Sequence, residues 1–305
     1  MAFNMPMTIG RIGLRCWPYF YRVKSTSFRP FTLNLRGRLF AADRPMVMGI
    51  LNATPDSYFK PSRLKGLDRL EEQAEGLLGE GADWLDLGGC STRPGADWPS
   101  IDEEWSRIKG AFGRLRLRFG PNLPLSVDTF RAEVARRALQ EGADVVNDIS
   151  GGTLDPLIWS VAAEARAPYV LTHYPTGREG ADFQTLGPDE VSPAVLLELS
   201  ERLILAREAG LNDVILDPGF GFGKSPEGNL RMLRDLELLT VFAHPILVGV
   251  SRKSLITKSL SISQDEALPA TSALHAWALE RGAQILRVHD PREARQVIAL
   301  RELMA

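Results

Sequence analysis

From Pro45 onward one pattern repeats: a short apolar run rich in β-branched residues, a loop of small or polar residues, then a stretch of helical periodicity. The apolar runs occupy 46–51, 84–87, 124–127, 145–149, 169–172, 214–216, 246–250 and 285–288. Near-continuous apolar strands predict a parallel sheet buried on both faces, and the amphipathic stretches between them supply the crossovers. Residues 131–141 show the helical face, with Val134, Ala135, Ala138 and Leu139 on one stripe and charges opposite, and Gly142 placed to stop the helix. Three helices end alike before a strand, in Gly81-Ala82-Asp83, Gly142-Ala143-Asp144 and Gly282-Ala283-Gln284. The strand spacings are uneven, so this is repeated αβ-turn chemistry and not a solenoid. Eight β-then-α units in roughly 260 residues predict an α/β fold of the (β/α)8 TIM-barrel type, with an eight-stranded doubly wound sheet as the alternative.

The start of the chain breaks the rhythm. Period-2 alternation on either side of Gly37 predicts a β-hairpin over 31–42 that caps the bottom of the barrel. Residues 1–30 form a basic extension, with no acidic residue before Asp43 and an aromatic cluster at Trp17, Tyr19, Phe20 and Tyr21. That composition is shared by transit peptides, but a poorly ordered terminus is the simpler reading. The domain division is therefore 1–30 and 31–305.

With 36 Lys+Arg against 38 Asp+Glu and a net charge of -2, bulk charge recruits neither nucleic acid nor membrane. No run approaches the roughly 20 apolar residues of a membrane span. The two cysteines, Cys16 and Cys90, fit no disulfide framework or zinc motif, which makes a reducing cytoplasm the expected compartment.

In either α/β architecture the chemistry sits at the C-terminal ends of the strands. There the sequence places Asn52, Thr54 and Asp56, then Ser91 to Gly95, Asp128, Asn147 and Asp148, His173, Asp217, Ser251 to Ser254, and Arg287, His289 and Asp290. Some have ordinary structural readings: Asp148 and Asp290 suit helix capping, the glycines suit tight turns, and His275 belongs to core or surface. The register of all eight strand ends points further. Asn52, Asp128, Asn147, Asp217 and Lys253 would line a pocket with hydrogen-bonding groups converging on the edge of a flat heteroaromatic. Arg287 and His289 leave the last strand two residues apart, beside Asn52. They suggest an anion site with room for Mg²⁺, hence a phosphorylated substrate. Gly219-Phe220-Gly221-Phe222-Gly223-Lys224 lacks Walker spacing and is a poor phosphate motif.

The segments 48–57 (MGILNATPDS), 86–96 (DLGGCSTRPGA), 126–129 (SVDT), 147–152 (NDISGG), 216–224 (LDPGFGFGK), 249–254 (GVSRKS) and 287–290 (RVHD) together resemble the dihydropteroate synthase family, in order from about residue 32 to the end. The resemblance implies a pterin-binding (β/α)8 barrel, usually a homodimer. Such an enzyme condenses 6-hydroxymethyl-7,8-dihydropterin diphosphate with p-aminobenzoate, giving 7,8-dihydropteroate and pyrophosphate in folate biosynthesis. It implies pterin binding by Asp128, Asn147, Asp217 and Lys253 with Phe222 near the ring, and diphosphate binding by Asn52, Arg287 and His289, with Mg²⁺ at Asn52. Thr92, Arg93, Pro94 and Ser251 would form the p-aminobenzoate site, and the helix after Ser251 would meet the carboxylate with its N-terminus. Asp56, Lys253 and Arg287 would carry the catalysis, Asp56 shielding the cation left as diphosphate departs while the loop closes.

Departures from the family pattern fall in four places: Tyr58 to Arg63 after the first strand, Thr172-His173-Tyr174 after the fifth, Cys90 where Glu is usual, and Thr257 where Gly is common. The altered first loop raises the expectation of changed sulfonamide sensitivity. Cys90 is no nucleophile in this scheme, because the arylamine attacks. Two other readings are a methyltetrahydrofolate methyltransferase type, which has no use for Ser91 to Pro94 or Ser251 to Lys253, and a pterin-binding protein without catalysis.

Overall fold

A computed structural model describes residues 28–53, 63–90, 98–175 and 185–304. The expected hairpin is β1 (Phe31–Leu35) and β2 (Arg38–Ala42), antiparallel with Leu35 opposite Arg38. Arg36 and Gly37 both take positive φ, +55° and +96°, which the tight turn of a right-twisted hairpin requires. Asn34 Oδ1 accepts from the Gly37 amide at 2.5 Å and closes it.

Eight parallel strands follow: β3 (Met46–Asn52), β4 (Trp84–Gly88), β5 (Leu125–Asp128), β6 (Val145–Asp148), β7 (Tyr169–Thr172), β8 (Val214–Asp217), β9 (Leu247–Val248) and β10 (Ile285–Val288). They are ordered β8-β7-β6-β5-β4-β3-β10-β9, and a parallel bridge between Leu216 and Ile246 joins the two ends. The sheet therefore closes into a (β/α)8 barrel rather than the open doubly wound alternative. The crossovers use α1 (Arg63–Gly79), α2 (Ile101–Ile108), α3 (Ala111–Phe119), α4 (Ala132–Glu141), α5 (Leu157–Glu164), α6 (Val191–Glu208), α7 (Pro226–Arg234), α8 (Ser254–Leu260), α9 (Leu268–Glu280) and α10 (Pro291–Met304). The helix expected over 131–141 starts one residue later, and Gly142 ends it at φ +120°.

The strands sort their side chains by period 2. Val47, Leu85, Leu87, Val127, Val146, Leu171, Leu216, Val248 and Leu286 face outward into the core under the helices. Met46, Met48, Trp84, Val145, Val170, Ile215, Leu247 and Ile285 face inward and pack with Phe31, Leu33, Leu35 and Ala42 of the hairpin. The hairpin thus plugs the N-terminal end of the barrel with apolar side chains, as expected from its alternation.

The repeated turn also acquires a physical role. Asp83 Oδ2 accepts from the amide of Val47, Asp144 Oδ2 from that of Leu125, and Gln284 Oε1 from that of Ile246. Each therefore satisfies a backbone donor at the start of a neighbouring strand, where the ladder offers no partner. Arg295 clamps Asp83, and Arg116 clamps Asp144. The third residue of each turn is a carboxylate or amide because that donor must be met.

Residues 1–27 of the basic extension lie outside the described residues, as do most of the first loop and the segment 91–97. Among the described residues no helix is long and apolar enough to cross a membrane.

Candidate functional site

Above its apolar floor the barrel interior turns polar. The inward positions one step up the strands are Asp86, Asp128, Asn147, Asp217 and Arg287, with Asn52 at the end of β3. Strand register explains the convergence: Asn52 pairs with Gly88, Gly88 with Asp128, and Asp128 with Asn147. Gly88 contributes no side chain, and a Cβ there would come within 3.2 Å of the Asp128 Cβ. The glycine keeps the space between Asn52 and Asp128 open.

Arg287 holds the centre. Its Nε donates to Asp86 Oδ2 and its Nη2 to Asp128 Oδ2, each at 2.6 Å. Asn147 Nδ2 also donates to Asp86 Oδ2, at 2.8 Å. The remaining oxygens, Asp86 Oδ1 and Asp128 Oδ1, are buried and have no hydrogen-bond partner among the described residues. Unmet acceptors of this kind are costly in a folded interior and mark a place where a ligand supplies the donors. Burial raises the Asp128 carboxyl to about 7; Arg287 opposes the shift, while Asp86, Glu104 and Asp148 add to it.

Asp217, Phe222 and Lys253 meet on the opposite wall. Asp217 Oδ1 accepts from the Gly219 amide at 2.7 Å, and burial raises its carboxyl. Lys253 Nζ donates to the Phe220 carbonyl at 2.7 Å and lies 4.9 Å from the centre of the Phe222 ring, a cation–π arrangement. Burial lowers the Lys253 ammonium to about 8, against the pull of Asp217. The glycine loop is no phosphate cradle, as its spacing indicated. Its carbonyls face inward to receive the ammonium groups of Lys224 and Lys253.

At the rim, Asn52 and His289 are exposed, and His289 Nδ1 lies 3.1 Å from Oγ of the buried Ser251. Lys253 occupies the N-cap position of α8. The structure thus brings together Asn52, Asp128, Asn147, Asp217, Phe222, Ser251, Lys253, Arg287 and His289. Arg287 reaches the carboxylates of the heterocycle pocket, whereas sequence spacing alone had set it with the anion site. Asp56, Thr92, Arg93 and Pro94 lie outside the described residues. His275 is in the core, 2% exposed. Burial first, and then the neighbouring Glu104 carboxylate, push the Cys90 thiol up to about 11, which leaves it a poor nucleophile.

Asp86 was missed. It lies inside the run Trp84-Leu85-Asp86-Leu87 and not at a strand end. Its signal was a charge on the inward period-2 face, two residues above Trp84, in a strand otherwise apolar. Glu104 was missed for another reason: it lies on α2, fully buried, and accepts from Thr129 Oγ1 at 2.6 Å and Arg131 Nη1 at 2.7 Å. Nothing in a surface-looking helical stretch announces that burial.

A closed (β/α)8 barrel with buried carboxylates, an amide and an ammonium around its mouth is the architecture of a heterocycle-binding enzyme. The model of the family described as pterin binding enzyme matches residues 48–289. Among relatives, the dihydropteroate synthase of Bacillus subtilis (strain 168) is 37% identical over 264 residues, covering 86% of this chain and 89% of its own. That of a Synechocystis species is 42% identical over 257 residues, covering 83% and 88%. A solved structure of the Xanthomonas albilineans dihydropteroate synthase with 4-aminobenzoic acid superposes with a TM-score of 0.80 at 36% identity, over 90% of this chain and 97% of that one. The same enzyme in complex with 7,8-dihydropteroate gives 0.77 at 34%. The chain belongs to the dihydropteroate synthase family.

Proposed function

We propose that this chain condenses 6-hydroxymethyl-7,8-dihydropterin diphosphate with p-aminobenzoate, releasing pyrophosphate and 7,8-dihydropteroate, a step of folate biosynthesis. The observation that carries the reading is the pair of buried acceptors, Asp86 Oδ1 and Asp128 Oδ1, without a partner among the described residues, beside a Lys253 that feels the charges of both Asp128 and Asp217. A pterin offers an amino group and a ring N–H side by side, which suits a carboxylate, and a carbonyl and ring nitrogens, which suit Asn147 and Lys253. Phe222 supplies a flat apolar surface for the ring.

The reaction breaks the bond between the exocyclic methylene and the diphosphate oxygen and forms one from that carbon to the arylamine nitrogen, which then gives up a proton. The departing electron pair goes to diphosphate. Cationic and donor groups at the rim stabilise that charge as it develops. His289 and Asn52 are placed for it, and Nη1 of Arg287 makes no hydrogen bond among the described residues. Lys253, largely protonated near neutrality, donates to the heterocycle. The carboxylates beneath stabilise the cation left on the pterin side. Asp56 is assigned to shield that cation from water, and Thr92, Arg93, Pro94 and Ser251 to hold p-aminobenzoate.

Mg²⁺ fits the rim. The described residues contain no cluster of three carboxylate, His or Cys groups. One amide oxygen, from Asn52, suits an ion that takes the rest of its shell from phosphate oxygens and water. When bound, the ion would neutralise the leaving diphosphate.

A homodimer is proposed from α6, where Leu197, Ile204 and Leu205 stand 60%, 56% and 49% exposed at i, i+7 and i+8, on one face. A cytoplasmic location and altered sulfonamide sensitivity are proposed as well, the first from cysteine usage and the second from the segment Tyr58 to Arg63. Ordinary inhibition of turnover by sulfonamides would dispose of the second.

The test is pyrophosphate release by the purified protein given the dihydropterin diphosphate and Mg²⁺, with and without p-aminobenzoate. Release that depends on p-aminobenzoate and yields dihydropteroate supports the synthase. Pterin binding without release would leave a binding protein.

A further inference from the structure

Lys224 is among the buried charges that the chemistry above leaves unused. Lys224 is 6% exposed, and its ammonium donates to His173 Nδ1 at 2.9 Å, to the Gly219 carbonyl at 2.8 Å and to the Phe222 carbonyl at 3.0 Å. Three acceptors saturate its three donors. The loop is drawn tightly around this group: Gly219 has φ +69°, and a Cβ there would lie 2.0 Å from the His173 carbonyl oxygen and 3.3 Å from Lys224 Nζ. The same glycine donates its amide to Asp217 Oδ1 and accepts from the Phe222 amide. Ammonium, loop, carboxylate and ring are therefore one connected unit.

We propose that Lys224 is a positioning residue for the Asp217 carboxylate that binds the substrate heterocycle: it clamps the 219–223 loop and supplies the counter-charge that keeps buried Asp217 ionised, so that Asp217 accepts from the donor edge of the heterocycle. This rests on the reading of the pocket as a pterin site. Asp217 is influenced by Lys253 at the start of α8, Lys224 from the loop and Arg287 from β10. Lys224 feels Asp217 and Lys253 on the pocket side, and Glu198 and Arg202 of α6 behind it. His173, neutral at physiological pH because burial and Lys224 hold it down at about 4, accepts from the ammonium and sets its Nε2 3.4 Å from Glu198 Oε2. Burial raises Asp217 and lowers Lys224 to about 7, so the counter-charge is present on the acid side, where the carboxylate needs it.

The experiment is equilibrium binding of 6-hydroxymethylpterin to the full chain from pH 5 to pH 8, for the unchanged protein, Lys224→Met and Lys224→Gln, with circular dichroism to verify folding. The Gln amide still donates to two of the three acceptors without carrying charge. In both variants the acid loss of affinity should move up by about one pH unit, so that binding is about tenfold weaker on the acid side. The curves should converge towards pH 8, where Lys224 of the unchanged protein is itself losing its proton. Profiles parallel to the unchanged one, offset by a constant factor, would overturn the inference, as would failure of both variants to fold, since either points to a purely structural contact. Absence of pterin binding by the unchanged chain would instead overturn the reading of the pocket, and the inference with it.

Discussion

The lower and upper halves of the barrel interior are built by the same strands, two residues apart, yet they are chemically opposed. Below, Met46, Met48, Trp84, Val145, Val170, Ile215, Leu247 and Ile285 close on the hairpin with no charged side chain among them. Above, Asp86, Asp128, Asn147, Asp217 and Arg287 crowd into a space where two carboxylate oxygens find no partner among the described residues. The floor minimises free energy by burying apolar surface. The mouth does the reverse, holding desolvated charges whose compensation is left for a ligand. A TIM barrel can afford this because stability and chemistry occupy opposite ends of each strand.

Two substitutions would break that division if it is wrong. Trp84, fully buried on the floor and edge-on to Phe40 at 5.4 Å between ring centres, should cost about 3–5 kcal/mol of stability as Trp84→Ala. The turnover of its folded fraction should be unchanged, as denaturant unfolding and kcat at matched folded concentration would reveal. Arg287→Ala should act in the other sense. Its removal takes the Arg287 donors from Asp128 and Asp86, leaving Asp86 with Asn147 alone, and takes a donor from the leaving diphosphate, so kcat/KM should fall by about 10²- to 10³-fold. A variant with near-normal turnover would mean that the polar upper layer is scaffolding.

The pH dependence of stability sharpens the contrast further. Asp128, raised to about 7, holds a proton in the folded chain between the ordinary carboxylate range and 7 that the unfolded chain releases. Its contribution to stability is therefore present at low pH and lost as pH rises through 7. Asp128→Asn carries no such titration. Measured by urea unfolding at pH 5 and pH 7.5, the stability of the variant relative to the unchanged protein should rise with pH, by about 1–3 kcal/mol. A constant difference would show that Arg287 holds Asp128 ionised throughout.

The floor was more legible in the sequence than the mouth. Apolar runs with β-branched residues reveal strands directly, and the Gly-Ala-Asp and Gly-Ala-Gln turns betray the helix ends before them. The hairpin could be read from its alternation about Gly37. At the mouth, Asn52, Asp128 and Asp217 were visible because each ends a strand, and Asn147 because it stands beside the terminal Asp148 of its strand. Asp86 was hidden because it lies inside one, and Glu104 because its burial depends on how α2 seats against Thr129 and Arg131. The pairing of Arg287 with both carboxylates was not readable at all. Spacing fixes the face on which a side chain leaves a strand, but an arginine's reach is decided by which acceptors the neighbouring strands have left unpaired.

Ser126 lies on the boundary between the halves and should give the smallest effect. It faces inward from β5, level with Asp86 on β4 and Val145 on β6, so the polar wall is on one side and the apolar floor on the other. It is 1% exposed, and its buried hydroxyl has no hydrogen-bond partner among the described residues. An unpaired buried hydroxyl costs desolvation and returns nothing, so Ser126→Ala should leave stability unchanged or raise it by up to about 1 kcal/mol. If the hydroxyl instead belongs to the upper layer and meets the ligand there, the same substitution would weaken pterin binding while stability stayed level. Thermal melts with and without 6-hydroxymethylpterin separate the cases: a ligand-induced shift equal to that of the unchanged protein assigns Ser126 to the floor, and a smaller one assigns it to the mouth.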